Sequence, residues 1–205
     1  VACVLRSGGV YTPAWVEALA RGVSQFLPGA RFICLSDMAV PGVEVIPLLH
    51  DWPGWWSKIE LFRPGVFPSA ERIFYLDLDS IVTGDLAELA SYDGPFAMLQ
   101  DFYHAARPAS GVMAWQAGFG VELYERFRRD PVAIMECHRR FHPPHGGGDQ
   151  AFIAETTIVA PDRWQHRYPG QIVSFKAHCR KGVPPGARIV CFHGRPKPSI
   201  PGVFP

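Results

Sequence analysis

Four short apolar runs in the first half of the chain constrain its fold most: Val1–Leu5, Arg31–Leu35, Val43–Ile46 and Arg72–Leu76. Each has strand length, and each is bounded by turn residues. A helical pattern separates the first two. Thr12 is placed to cap it, Pro13 suits its first position, and Trp15, Leu19, Val23 and Phe26 share one face as far as about residue 26. Strands alternating with helices predict an α/β fold around a largely parallel sheet. Further strands are predicted at Phe96–Leu99, Val112–Trp115, Ile172–Phe175 and Ile189–Phe192. Helices are predicted at Trp55–Phe62, Val121–Arg129, Val132–Phe141 and Asp149–Glu155. In open α/β sheets, ligands bind beyond the carboxyl ends of the strands. The residues that follow each strand are therefore the candidates for chemistry.

Length and composition narrow the function classes. A chain of 205 residues fits one domain and can bury a sizeable core without disulfides or a structural metal. Hydrophobic residues make up 48%, too many for a disordered chain. Seven Pro-Gly pairs, beginning at residues 28, 41, 53, 64, 169, 185 and 201, mark turns. A net charge of +1, with no basic arm, removes the electrostatic argument for nucleic-acid binding. No run approaches the ~18 apolar residues of a membrane span, and no signal-peptide pattern is present. The cysteines Cys3, Cys34, Cys137, Cys179 and Cys191 are odd in number and lack C-x-x-C spacing. They read as buried hydrophobes in a reducing cytoplasm, so a soluble cytoplasmic protein is expected.

The most informative stretch is Ile73-Phe74-Tyr75-Leu76-Asp77-Leu78-Asp79-Ser80-Ile81-Val82. An apolar strand runs directly into two carboxylates one residue apart. Strand alternation would point Asp77 and Asp79 to the same side. Side by side, they repel unless a cation lies between them, and a hard divalent ion such as Mn²⁺ or Mg²⁺ suits oxygen donors. The plainer alternative is one turn cap and one solvated carboxylate. Two enzyme classes place such a pair after a strand. Haloacid-dehalogenase-like phosphatases use the first Asp as nucleophile, and nucleotide-sugar glycosyltransferases of the GT-A fold hold a metal on the diphosphate.

The flanking motifs favour the second class. Leu5-Arg6-Ser7-Gly8-Gly9-Val10-Tyr11 follows the first strand. Trp56-Ser57-Lys58-Ile59-Glu60-Leu61 precedes the acidic pair. Ala109-Ser110-Gly111-Val112, Gly148-Asp149-Gln150 and Phe192-His193-Gly194-Arg195-Pro196-Lys197-Pro198 come after it. In this order, from Val4 to Pro198, they resemble the glycogenin-like (family 8) glycosyltransferases and their bacterial and phage-encoded relatives. The resemblance implies a single GT-A-like, Rossmann-like domain over 1–205, with a mixed, mostly parallel sheet. Residues 1–100 would form its nucleotide-binding half and 101–205 its sugar and acceptor half.

The resemblance also implies roles. Leu5, Arg6, Ser7 and Tyr11 would hold the nucleotide, with Tyr11 stacked on the base. Asp77, Asp79 and His193 would ligate Mn²⁺ or Mg²⁺. Leu78, Ser110, Gly111 and Gln150 would line the donor. Lys58 would face a phosphate or the donor sugar, and Asp149 would bind sugar hydroxyls. Gly194 would let the backbone approach phosphate, while Arg195 and Lys197 would neutralise the leaving diphosphate. The implied partners are a nucleotide-sugar donor, with UDP favoured, and an unknown acceptor, with retention at the anomeric carbon. Retention would leave the departing phosphate as the acceptor's base. Inversion would require a carboxylate, Asp149 or Asp101.

The chain departs from the family at Ala109 in place of Asn, at Arg6 in place of a small polar residue, and at Ser199 in place of an aromatic. Its His-to-Lys spacing is one residue shorter. A phosphatase would need a second acidic pair, yet Ile153 stands four residues beyond Asp149. A non-catalytic sugar- or nucleotide-binding module and a sugar nucleotidyltransferase remain alternatives.

Other candidates carry competing readings. His138, His142 and His145 could bind zinc, or belong to a lid hinged on Gly146–Gly148, or to a solvated loop. Trp52, Trp55 and Trp56 could form a sugar-stacking wall, with core packing expected for at least one. Asp37 reads as a turn cap or as a contact to base or ribose, and Asp85 as the cap of a short helix beginning at Leu86. The arginines at 126, 128, 129, 139 and 140 read as solvated helix faces, with an acceptor-side patch as the alternative.

Overall fold

The computed structural model describes residues 1–68, 72–139, 147–199 and 201–203. Along the chain lie β1 (Ala2–Leu5), α1 (Pro13–Phe26), β2 (Ile33–Ser36), β3 (Glu44–Pro47), a 3₁₀ helix (Gly54–Phe62), β4 (Arg72–Leu76), β5 (Ser80–Val82), α2 (Ala87–Ala90), β6 (Phe96–Gln100) and β7 (Pro108–Gln116). There follow α3 (Val121–Arg129), α4 (Pro131–Cys137), α5 (Gly148–Thr156), β8 (Asp162–Arg163), α6 (Trp164–Arg167), β9 (Ile172–Ser174), α7 (Phe175–His178) and β10 (Ile189–Cys191).

Seven strands form one mixed sheet in the order β3-β2-β1-β4-β7-β6-β8. β1 is parallel to β2 and β4, and β2 to β3. β7 runs antiparallel to both β4 and β6. The carboxyl ends of β1, β2, β4 and β6 therefore share one edge with the start of β7. Arg6, Asp37, Asp77, Asp101 and Ser110 all fall on or beside that edge. A second sheet, β5-β10-β9, pairs the segment after Asp79 with the C-terminal region.

Both faces of the large sheet are covered, and strand alternation divides its side chains between two cores. Cys3, Leu5, Cys34, Phe74 and Leu76 point one way, with Leu19 and Val23 of α1 and with Trp164. Val4, Leu35, Ile73 and Tyr75 point the other way, onto Ile59 and Phe62 of the 3₁₀ helix, Phe127 of α3 and Phe152 of α5. Each fully buried Leu, Ile or Phe contributes about 1.5–3 kcal/mol. The small sheet has its own cluster of Ile81, Val173, Val190 and Phe192.

Several details differ from the sequence reading. Thr12 makes no side-chain cap. Pro13 and the main-chain bond from Trp15 to the Thr12 carbonyl open α1 instead. Val132–Phe141 is shorter than expected: α4 ends at Cys137. Phe175 starts α7 rather than ending a strand. Val112–Trp115 is only the inner part of β7, which begins at Pro108. Asp85 accepts a bond from the Ala87 amide at 2.8 Å, closing a turn just before α2, whose N-cap is Leu86 with no side-chain cap bond. Cys3, Cys34, Cys179 and Cys191 are buried thiols, and Cys137 is an exposed one. Among the described residues, no helix is long and apolar enough to cross a membrane.

Candidate functional site

Asp77 follows directly on β4, but the chain does not stay extended to Asp79. The Ser80 amide donates to the Asp77 carbonyl at 3.0 Å, closing a tight turn with Leu78 buried inside it. This corrects the expectation that strand alternation would align the two carboxylates. The turn brings them close enough for Asp77 to destabilise ionised Asp79. Burial first, and then Asp77, push the Asp79 carboxyl above the usual range, against the pull of Lys197 and Tyr11.

Each carboxylate has its own lysine. Lys58 Nζ lies 2.9 Å from Asp77 Oδ1, 3.3 Å from Asp149 Oδ2 and 3.1 Å from Ser110 Oγ. Ser110 donates to Asp149 at 2.6 Å, and Tyr75 donates to Asp77 at 2.6 Å. Burial alone would push the Lys58 ammonium down. Asp149 and Asp77 outweigh it and hold this lysine protonated well above its ordinary value. The 3₁₀ helix, β4, β7 and α5 thus meet in one buried ionic network. Gly111 belongs to it through its backbone. Its carbonyl accepts from the Asp77 amide at 2.8 Å, and a Cβ there would lie 3.4 Å from Asp77 Oδ2.

Lys197 serves Asp79. Its ammonium contacts the carboxylate directly, donates to the Phe192 carbonyl at 3.0 Å and lies 5.5 Å from the centre of the Tyr11 ring. The Tyr11 hydroxyl donates to Asp79 at 2.9 Å, and its ring meets Trp15 edge-on. Burial, and then the Asp79 carboxylate, push this phenol up. The face expected to stack on a base is thus covered by an ammonium here.

The opening loop is clamped by a residue first read as a turn cap. Asp37 accepts from the Ser7 amide at 2.9 Å and from the Ser7 hydroxyl, and pairs with Arg6 at 3.4 Å. Burial pushes its carboxyl up, but Ser7 and Arg6 prevail and hold it below the usual range. Arg6 also reaches Asp51 at 2.8 Å. Leu5 is buried at the end of β1.

The remaining candidates separate. Asp101 Oδ1 accepts from the amides of Tyr103 and His104, at 2.8 and 2.9 Å, and closes its own turn. Gln150 lies on α5 beside Asp149, and Arg195 is exposed. Gly194 takes the left-handed conformation, φ +68°.

The structure does not bring His193 into the acidic pair. Its Nε2 bonds Ser174 Oγ at 2.7 Å, and its ring stacks on Phe102 with centroids 5.4 Å apart. Burial first, and then the neighbouring Lys176, push this imidazole below its ordinary value. Among the described residues, no group of three or more His, Cys, Asp or Glu side chains is placed to hold a metal. Asp77 and Asp79 fit a hard divalent cation, being close oxygen donors whose charges repel. His193, as placed, does not join them.

The histidine and tryptophan groups resolve in part. His138 Nδ1 bonds the Ile134 carbonyl at 2.9 Å and Nε2 bonds Glu155 at 3.1 Å, so both its nitrogens are engaged. His142, His145 and Gly146 lie outside the described residues, and the zinc and lid readings lie there with them. Trp52 and Trp56 are core residues packed on Phe127. Trp55 is exposed beside Gly148.

No protein-family model and no curated protein matches the sequence. Solved structures do match in fold. The glycosyltransferase GlyE of Streptococcus pneumoniae TIGR4 superposes with a TM-score of 0.67 at 16% identity, over 97% of this chain and 56% of its own. The galactosyltransferase LgtC, in complex with donor and acceptor sugar analogues, gives 0.60 at 14% identity, over 96% and 88%. The bifunctional glycosyltransferase WbbM gives 0.57 at 10%, over 96% and 46%. This chain spans about half the length of GlyE. The likeness establishes the fold: a mixed α/β domain of the GT-A-like type found in these glycosyltransferases.

Proposed function

We propose that this chain is a glycosyltransferase domain that moves a sugar from a nucleoside-diphosphate donor, with UDP as the nucleotide, to an acceptor hydroxyl. The observation that carries the reading is the Asp77–Asp79 turn at the carboxyl edge of the sheet, met by Lys58 from one side of the sequence and Lys197 from the other. Carboxylates with ammoniums at hand suit a diphosphate accompanied by a divalent cation. Asp77 and Asp79 would hold the Mn²⁺ or Mg²⁺. Once bound, that ion would act as a Lewis acid on the leaving diphosphate.

The chain's own cations do the rest. Lys197, which reaches Asp79 in the free protein, would turn to the phosphate oxygens, where negative charge grows as the anomeric C–O bond breaks. Arg195 is exposed on the same segment and would assist it. Lys58 keeps Asp149 in place, and Asp149 with Ser110 would accept and donate hydrogen bonds to donor-sugar hydroxyls. Leu5, Arg6 and Ser7 would seat the nucleotide, Leu78, Gly111 and Gln150 would line the donor, and Tyr11 would turn to its base once Lys197 has moved.

Retention of anomeric configuration is favoured by how the two candidate bases are occupied. Asp149 is buried and bonded to Lys58 and Ser110, and Asp101 caps its own turn. Neither is a free carboxylate waiting for an acceptor proton. The leaving phosphate oxygen would take that proton as the acceptor oxygen forms the new bond.

Calorimetric titration of UDP with and without Mn²⁺, on the native protein and on Asp79→Asn, tests the reading. Mn²⁺-dependent UDP binding that the substitution weakens at least tenfold is expected. Absence of UDP binding under both conditions would overturn the donor assignment. A phosphoryl group trapped on Asp77 would favour the phosphatase instead.

A further inference from the structure

Lys176 lies outside every motif that pointed to the site, yet its ammonium sits beside the segment that ends in Lys197. A Cβ added at Gly194 would lie 3.2 Å from Lys176 Nζ. The same ammonium is 6.0 Å from the centre of the exposed Tyr103 ring, which meets His193 edge-on at 5.6 Å. Among the described residues Lys176 makes no ion pair. The nearby Asp101 carboxylate is committed to two backbone amides.

Its position is built rather than incidental. Ser174 Oγ accepts from the Ala177 amide at 3.2 Å, capping α7, and the same oxygen bonds His193 Nε2 at 2.7 Å. The Ser174 amide donates to His178 Nδ1 at 3.0 Å. β9 and β10 are parallel, with Ser174 opposite Cys191. The residues just beyond both carboxyl ends, Lys176 and His193-Gly194, are thereby fixed against each other.

The Lys176 ammonium faces a bare left-handed glycine that is exposed to solvent, and Lys197, paired with Asp79, stands three residues further along the same segment. A side chain at 194 would be strained by its φ and crowded by Lys176. An ammonium with no carboxylate partner, next to backbone stripped of side chain, recognises an anion, and a multiply charged one uses both lysines.

We propose that Lys176 is a phosphate-binding residue that meets the donor's diphosphate alongside Lys197. It rests on the nucleotide-sugar reading for the identity of the ligand, but its anion chemistry can be tested separately. The two lysines divide the work. Lys197 is bound to Asp79 before the ligand arrives, whereas Lys176 is already uncommitted. Lys176 therefore contributes to the first capture of the diphosphate.

The test titrates UDP, uridine and inorganic pyrophosphate, each with Mn²⁺, into the native protein, Lys176→Met and Lys176→Arg. The methionine variant should weaken UDP and pyrophosphate about tenfold, leave uridine within twofold, and be largely rescued by arginine. Equal loss of UDP and uridine would mean a structural role and overturn the proposal, as would UDP and pyrophosphate binding that Lys176→Met leaves unchanged. Lys176-dependent binding of pyrophosphate without any UDP binding would sustain this inference while sinking the UDP assignment. A native protein that binds neither anion would sink both.

Discussion

Asp79 carries the sharpest conflict at the level of single residues. It is buried, and Asp77 faces it across a tight turn. Its folded carboxyl therefore titrates above its unfolded value, so the folded state binds the proton more tightly. Ionised Asp79 costs the fold stability at neutral pH, and that cost is relieved as pH falls through the raised folded value. Replacing it with the isosteric neutral Asn removes the cost while keeping an acceptor for Tyr11. Asp79→Asn should therefore raise the urea midpoint at pH 7, and the gain should shrink toward pH 4. A variant less stable than the native protein at pH 7 would mean that the Lys197 ion pair outweighs burial and repulsion. A gain in stability from loss of the carboxylate proposed to hold the metal is the trade-off expected of a functional site. The acidic pair was legible because two carboxylates after an apolar strand are conspicuous. Their tight turn was not, because Leu78 between them is as compatible with a strand as with a turn. Lys176 left a fainter trace, a cation just past a predicted strand, which the rule about carboxyl ends would have caught.

Elements were most readable where one period ruled. α1 follows its 3.6-residue stripe from Pro13 to Phe26, and β4 its apolar run from Arg72 to Leu76. Reading failed where pairing partners decide. β5 is three residues long and exists because β10 pairs antiparallel to it, with Val190 opposite Ile81. The 3₁₀ helix was legible as a helix but not as the tighter form, which buries every residue from Trp56 to Phe62. Besides the stacking of Trp56 on Phe127, a close approach at the start of α3 helps hold it there. Gly120 precedes α3 at φ +79°, and a Cβ there would come within 2.4 Å of Phe62 Cδ1. Gly120→Ala should cost about 2–5 kcal/mol by denaturant unfolding, from left-handed strain plus overpacking of a buried ring. Gly8 has a similar φ, +83°, but open space around its Cβ. Gly8→Ala should cost only about 1–2 kcal/mol, from strain alone. Equal losses at the two positions would mean that the Phe62 contact relaxes freely and does not seat the lysine-bearing helix.

Across the whole molecule, the site joins two sheets of unequal size. The seven-stranded sheet is packed on both faces, and it supplies Asp77, Ser110 and the 3₁₀ helix beneath Lys58. The three-stranded sheet rests on the small cluster around Ile81, Val173, Val190 and Phe192. It supplies the segment from Phe192 to Lys197, and Lys176 follows its strand β9. Elements with few buried apolar contacts open at lower free energy than the main core. Backbone amides of β10 and β9 should therefore exchange with solvent faster than those of β4 and β7 in the free protein. A diphosphate held between the acidic turn and the lysines would bridge the two sheets, because it binds only when both are in place. Saturating UDP and Mn²⁺ should then slow exchange in β9 and β10 more than in β2 and β3, with a ligand at a hundred times its Kd adding about 2.7 kcal/mol to any opening that destroys the site. Hydrogen exchange read by mass spectrometry or NMR distinguishes the cases. If β10 is as protected as β4 without ligand, the small sheet is no weaker than the large one. If ligand protects all strands alike, the two sheets open as one unit, and the lysines reach the diphosphate on a frame that was rigid from the start.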